Sequence, residues 1–212
     1  SPFTTWLFSN VAIKSMFSSV TLENGQIVKG ESTIPKEVRK QKCKIDKISL
    51  IPENCRPLDE VISSIHGADI IVMGPGSLYT SVIPNLLVPG VIEAIKKSNA
   101  KKVYIPNVMT QPGETEGYNV LDHVQAIIKH TEPGLIDCIV TNNEKISESV
   151  ARRYNDDGST QVLLDNEQRL KLKCMGIKAV ESNLIEVKDN YIRHNADEIS
   201  SIIIKLALGH DM

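Results

Sequence analysis

The segment Gly74-Pro75-Gly76-Ser77-Leu78-Tyr79-Thr80-Ser81 concentrates groups able to hold a small polar ligand. Gly74 and Gly76 permit a sharp turn and a close approach of ligand to backbone. Pro75 stiffens the turn and carries no N–H, which leaves the amides of Gly76, Ser77 and Leu78 as donors. Hydroxyls of Ser77, Tyr79, Thr80 and Ser81 add groups that bind phosphate or sugar oxygens. The spacing is neither a Walker loop nor GxGxxG, because it has no Gly-Lys-Ser/Thr sequence and no third glycine. Two readings stay open: a plain strand-to-helix connection, or a ligand loop.

A second polar stretch runs from Pro106 to Tyr118, thirteen residues with two prolines and two glycines. That is long for a plain connection, and long loops in compact domains tend to be functional. Asn107, Thr110 and Gln111 offer amide and hydroxyl groups that select by hydrogen bonding. Glu114 reads as an acid or base, as a holder of a ribose hydroxyl, or as a helix cap; for Glu116 the cap is the favoured reading. His123 and His130 share one face of a predicted helix without further ligands, so they read as core or surface histidines. Asp122 and His123, near that helix start, are candidates to line the cleft. Arg193 and His194 follow a short strand at Tyr191-Ile192 and read equally as an anion contact or as caps of the last helix. No Ser-His-Asp set can be assembled. Catalytic and metal-binding residues are therefore not assigned. Cys43, Cys55, Cys138 and Cys174 are dispersed, which fits reduced structural thiols rather than a metal or disulfide set.

The elements that must position these loops follow from periodicity. Val20-Thr21-Leu22 and Ile27-Val28 flank Asn24-Gly25, a pair suited to a tight hairpin turn. Pro35 and the basic run to Lys47 (Lys36, Arg39, Lys40, Lys42, Lys44) read as a solvated connection, and 45–51 as a strand closed by Pro52. Leu58, Val61, Ile62 and Ile65 have helical spacing, and 69–73 is an apolar strand of the kind covered on both faces. A helix opens at Pro89-Gly90. Strands follow at 102–105, 136–140, 162–164 and 177–180, with helices at 119–130, 146–154, 166–175 and 196–208. Alternation at this spacing predicts βαβ units: an α/β, Rossmann-like fold with a mainly parallel sheet flanked by helices and a β-hairpin near the N-terminus. Residues 1–18 stay unassigned, and 19–210 form the domain.

Composition sets outer bounds. The 212 residues suffice for one substantial core, and the formal charge of -2 with 24 basic against 26 acidic residues gives no electrostatic case for nucleic acid. No apolar run reaches the roughly 18 residues of a membrane span. The first sixteen residues lack the order of a signal peptide, so a cytoplasmic setting is expected.

The stretches Gly74 to Asn85 (GPGSLYTSVIPN) and Asn107 to Tyr118 (NVMTQPGETEGY), with Asp122-His123, Arg193-His194 and the hairpin Val20 to Lys36, resemble the gluconeogenesis factor family, which is related to 2-phospho-L-lactate transferase. The resemblance spans about residues 19–210. It implies a Rossmann-like domain that binds a nucleotide, either a UDP-sugar such as UDP-N-acetylglucosamine or a dinucleotide such as NAD(P). It further implies a cytoplasmic regulator of carbon flux into the cell wall and of cell shape, with a protein partner or self-association and without established catalysis. The alternative is transfer of a phospholactyl group from a guanylylated donor to a deazaflavin. The Gly-Gly-Gly-Thr-Gly loop and Asp-Asp-Gly-Gly motif that open the family do not occur in this sequence. A dinucleotide oxidoreductase is the weakest reading, since the glycine fingerprint is missing.

Overall fold

A computed structural model of the chain describes residues 5–7, 17–53, 55–188 and 191–210. The segment 1–18 left unassigned by sequence lies mostly outside these residues, but β1 (Thr5–Leu7) within it pairs in parallel with a strand of the main sheet. The hairpin expected around Asn24-Gly25 is present: β2 (Phe17–Leu22) pairs antiparallel with β3 (Ile27–Lys29), Val20 opposite Val28. Gly25 sits at φ +83, and Gln26 N–H donates to Asn24 Oδ1 at 3.0 Å.

The basic run is not a connection. Residues Ile34–Gln41 form α1, with Pro35 in its first turn, where a missing N–H breaks no helical bond. Ile34 and Val38, one turn apart, are buried, and the intervening charges face outward. Each buried side chain is worth roughly 1.5–3 kcal/mol. That apolar pair was too short a signal to outweigh the surrounding charge. Strand β4 (Ile45–Ile51) then returns along β2, completing a small antiparallel sheet in the order β3-β2-β4.

The main sheet follows. After α2 (Asp59–Gly67) come β5 (Ile70–Met73), a π-helical turn Leu78–Val82 continued by α3 (Ile83–Leu86), α4 (Val91–Lys97) and β6 (Lys101–Tyr104). Then come α5 (Val120–His130), β7 (Cys138–Asn142), α6 (Glu148–Asp156), α7 (Asn166–Cys174) and β8 (Lys178–Ser182). A ribbon of β9 (Ile185–Lys188) and β10 (Tyr191–His194) leads to α8 (Ala196–Ala207). Strand order is β1-β5-β6-β7-β8, every pair parallel. This is the α/β architecture expected from the alternating pattern.

All four β5 residues are buried. Ile71 and Met73 enter the core shared with the small sheet, α1 and α5, whereas Ile70 and Val72 face the core that includes Ile202, Ile203 and Leu206 of α8. Such two-sided burial explains why β5 reads as a continuous apolar run.

Two further expectations need correction. Residues Leu78–Leu86 are helical, not loop. Residues 162–164 join no sheet: Val162 N–H bonds to Val108 O at 3.0 Å, and a single bridge joins Met109 to Gln161. Val162 and Leu164 are apolar because they fill the core from an extended connection.

Small sheet and second loop meet at Gly113. A Cβ built there lies 2.7 Å from Pro35 Cα and 2.8 Å from Pro35 C, with φ at +83. At Gly117 (φ +72) a Cβ meets nothing within 4 Å. Gly113→Ala is expected to lose at least about 2 kcal/mol in urea unfolding with unchanged slope, while Gly117→Ala loses only about 1 kcal/mol of left-handed strain.

Candidate functional site

Strands β5 and β6 run in register, Met73 opposite Tyr104, so the loops that follow them leave the sheet at one level. Gly74 (φ +82) makes this possible: a Cβ at that position lies 2.5 Å from Ile105 O. Beyond it the two polar loops meet directly. Gln111 Nε2 donates to Ser77 Oγ at 2.9 Å, and Asn107 Nδ2 donates both to Gly76 O at 3.1 Å and to Gln111 Oε1 at 2.9 Å. The amide group of each side chain is thereby oriented by the other.

What this leaves over is a set of directed donors and acceptors. Among the described residues no protein group accepts from the amides of Gly76, Ser77 or Leu78. Ser77 keeps its own hydroxyl proton, Gln111 a second N–H, and Asn107 its Oδ1 acceptor. The donors stand just ahead of the helical stretch Leu78–Leu86, whose positive end favours negative charge. The stretch opens with a π-helical turn, a form that recurs at functional sites.

His194, read from the sequence as an anion contact or a cap of the last helix, lies against the start of the second loop. His194 Nε2 contacts Pro106 O at 3.4 Å, and because a carbonyl only accepts, Nε2 carries the proton. Burial pushes the imidazole below its ordinary value, which keeps it neutral at physiological pH with Nδ1 as an acceptor. Arg193, its neighbour in β10, is exposed and pairs in register with Glu186. Alternation along the strand turns it to the opposite face from His194. Tyr154 Oη, which sequence did not single out, accepts from Ile192 N–H at 2.8 Å and ties α6 to this ribbon.

Other residues expected at the site point elsewhere. The helical winding after Ser77 splits the hydroxyl cluster. Tyr79 and Thr80 turn inward and are buried, and Ser81 Oγ faces Glu31 Oε1 at 3.5 Å. Thr110 is also buried: its Oγ1 accepts from Thr160 N–H at 2.8 Å, and Ser159 Oγ donates to its carbonyl at 2.7 Å. Thr110 thus anchors the 158–161 turn rather than lining the rim.

Glu114 is the buried link between the two loops. Its Oε2 accepts from Tyr79 N–H at 3.3 Å and its Oε1 from Thr80 Oγ1 at 3.1 Å. Burial raises its pKa, and the two hydrogen bonds only partly offset this. Behind it, Tyr79 Oη and Tyr118 Oη lie 2.7 Å apart, and His130 and His123 pack edge-on against those two rings. Burial holds both histidines below their ordinary pKa. They share one helix face, as their spacing allows, with His123 buried and His130 half-buried. Asp122 caps α5, accepting from Asn119 N–H at 2.9 Å, and Glu116 caps Gly113 N–H at 3.1 Å.

Comparison with known proteins adds context to this geometry. The family model described as 2-phospho-L-lactate transferase CofD matches residues 11–185. The chain is 46% identical over 184 residues to a gluconeogenesis factor of Halalkalibacterium halodurans, covering 87% of this chain and 55% of that protein. It is 43% identical over 185 residues to the gluconeogenesis factor of Bacillus subtilis, covering 87% and 56%. A crystal structure of a UPF0052-family protein from Bacillus halodurans superposes with a TM-score of 0.84 at 44% identity, over 92% of this chain and 60% of that one. The chain thus spans about half the length of the curated relatives it matches.

Glu114→Gln leaves one of two donors facing an amide group, and a loss of about 1–3 kcal/mol is expected at pH 7. The sign of the pH effect follows from the raised pKa. The folded carboxyl takes up its proton at higher pH than the unfolded one, so the wild type gains stability as pH falls through the folded pKa toward the ordinary value of 4.5. The variant lacks that gain, and its deficit in urea unfolding widens on acidification; a narrowing deficit would contradict the burial argument.

Proposed function

Because the chain belongs to the 2-phospho-L-lactate transferase CofD family, we propose that the rim between Gly76 and Gln111 binds the phosphate and sugar oxygens of a nucleotide ligand. The ligand class is a UDP-sugar, with NAD(P) the less favoured choice because no GxGxxG turn is present. One observation carries this reading. Three consecutive amide donors at the start of a helical stretch, with Ser77, Gln111 and Asn107 locked beside them, form a preorganised anion seat.

In this reading the output is regulatory: a cytoplasmic protein that senses a nucleotide-sugar and acts on carbon metabolism, cell-wall precursor supply and cell shape through a protein partner or self-association. The gluconeogenesis factor name carried by similar proteins supports the link to carbon metabolism. No single helix among the described residues is long and apolar enough to cross a membrane.

The second reading, transfer of a phospholactyl group, is favoured by the family description. Chemically it asks little of side chains. The amide seat would hold a phosphate of the donor, while Asn107 and Gln111 would orient the acceptor hydroxyl; the work is positioning and charge neutralisation.

Titration of UDP-N-acetylglucosamine by calorimetry tests the first reading. Ser77→Ala and Gln111→Ala are each expected to weaken binding by about 1 kcal/mol, five- to tenfold in affinity, and unchanged affinity in both would remove the ligand from this rim. Incubation of the full-length protein with guanylylated phospholactate and a deazaflavin, followed by product analysis, tests the second. Phospholactyl product would replace the regulator with an enzyme.

A further inference from the structure

Three basic residues line a cavity that the rim does not use. Between the C-terminal end of α1 and the Gly113–Tyr118 turn lies a cavity of about 380 Å³, walled by Arg39, Lys42 and Lys44 on one side and Glu114, Glu116 and Tyr118 on the other. Both carboxylates are already engaged: Glu114 by Tyr79 N–H and Thr80 Oγ1, Glu116 by Gly113 N–H. The cations are not. Among the described residues, Arg39, Lys42 and Lys44 form no ion pair or side-chain hydrogen bond, whereas Lys40 on the same helix pairs with Glu37 at 3.7 Å. The wall therefore carries positive charge without a partner in the protein.

Lys42 supplies an independent indication. It ends α1 in the left-handed conformation, φ 50, and is the one non-glycine residue with positive φ among those described. Glycine is favoured at such a helix end, and an ordinary side chain costs about 1 kcal/mol there. Backbone needs do not explain the lysine, since the capping bonds from its N–H to Val38 O and Arg39 O would be made equally by glycine. What glycine would lose is a basic side chain on a residue that lines the cavity.

We propose that this cavity is a second binding site, seating the phosphate group of a small phosphorylated metabolite against Arg39, Lys42 and Lys44. A phosphate dianion suits three cationic side chains around one cavity, and a guanidinium can grip two of its oxygens at once. The rest of the molecule has room alongside. An adjoining cavity of about 410 Å³ shares Lys44, Glu116 and Tyr118 with the first and adds Asp122 and Gln125, groups suited to hydroxyls. This site stands independently of the rim.

The test is calorimetric titration of inorganic pyrophosphate into the full chain. Saturable binding is expected, weakened about tenfold in Lys42→Gly, the loss of one charge-assisted contact. Lys40→Gln, off the cavity, is expected to bind pyrophosphate as the parent does, and Ser77→Ala reports whether the rim takes pyrophosphate instead. Relief of left-handed strain should leave the melting temperature of Lys42→Gly little changed, so weaker binding cannot be assigned to misfolding. Should that variant melt early, the double variant Arg39→Gln/Lys44→Gln gives the same readout without touching the helix end. Absence of saturation, full binding by the cavity variants, or equal weakening by Lys40→Gln would each overturn the proposal. Loss of binding in Ser77→Ala would place pyrophosphate at the rim and overturn it too. Failure of UDP-sugar binding alone bears only on the rim.

Discussion

Strands β5 and β6 finish level with each other, and the Ile105 N–H to Met73 O bond of 2.9 Å closes the ladder between them. From that point the two chains have to separate, yet Gly74 stays so near Ile105 O that no side chain fits between them. This close approach holds Ser77 within hydrogen-bond reach of Gln111, and Gly76 within reach of Asn107. A parallel sheet places successive strand ends on one edge as a matter of topology. Here the absence of a single Cβ brings the two loops into direct contact.

Beneath the rim, polarity is used for a different purpose. Glu114 reaches back to the first loop and satisfies a backbone and a hydroxyl donor that burial would otherwise leave unpaired. Tyr79, Tyr118, His123 and His130 continue inward as packed rings with one hydroxyl pair between them. Desolvation keeps these histidines neutral and the Tyr79 phenol protonated. They form a rigid polar floor under the loops. Rigid support of this kind is what a binding rim needs if its donors are to be aimed before the ligand arrives.

The small antiparallel sheet and α1, which share a core with β5 and α5, also meet the second loop. Gly113 packs on Pro35, and the cations beyond α1 face the back of the turn whose front carries Gln111. One loop thus touches the rim, the buried carboxylate and the basic cavity. A UPF0052-family structure superposes over 92% of the present chain, which covers 60% of that protein.

Much of this was written in the residue pattern. The apolar run 70–73, the spacing in α5 and the Asn-Gly turn each impose local structure through periodicity or backbone freedom, and the architecture follows from their alternation. The two loops were legible as polar, glycine-bearing segments after strands, and parallel topology alone puts such segments on a common edge. Local pattern could not say which way each side chain points. Tyr79, Thr80 and Thr110 read as ligand groups because their chemistry suits a ligand; their burial depends on partners, Tyr118, Glu114 and Thr160, that are distant in sequence. The basic run read as solvated because two apolar residues among six charges give a weak helical signal, and only packing against the small sheet makes α1 a helix. Sequence determined the elements and the loops' inventory, since these rest on interactions within a few residues. Tertiary structure decided which groups face the rim between the loops, because that choice rests on contacts made across thirty residues or more.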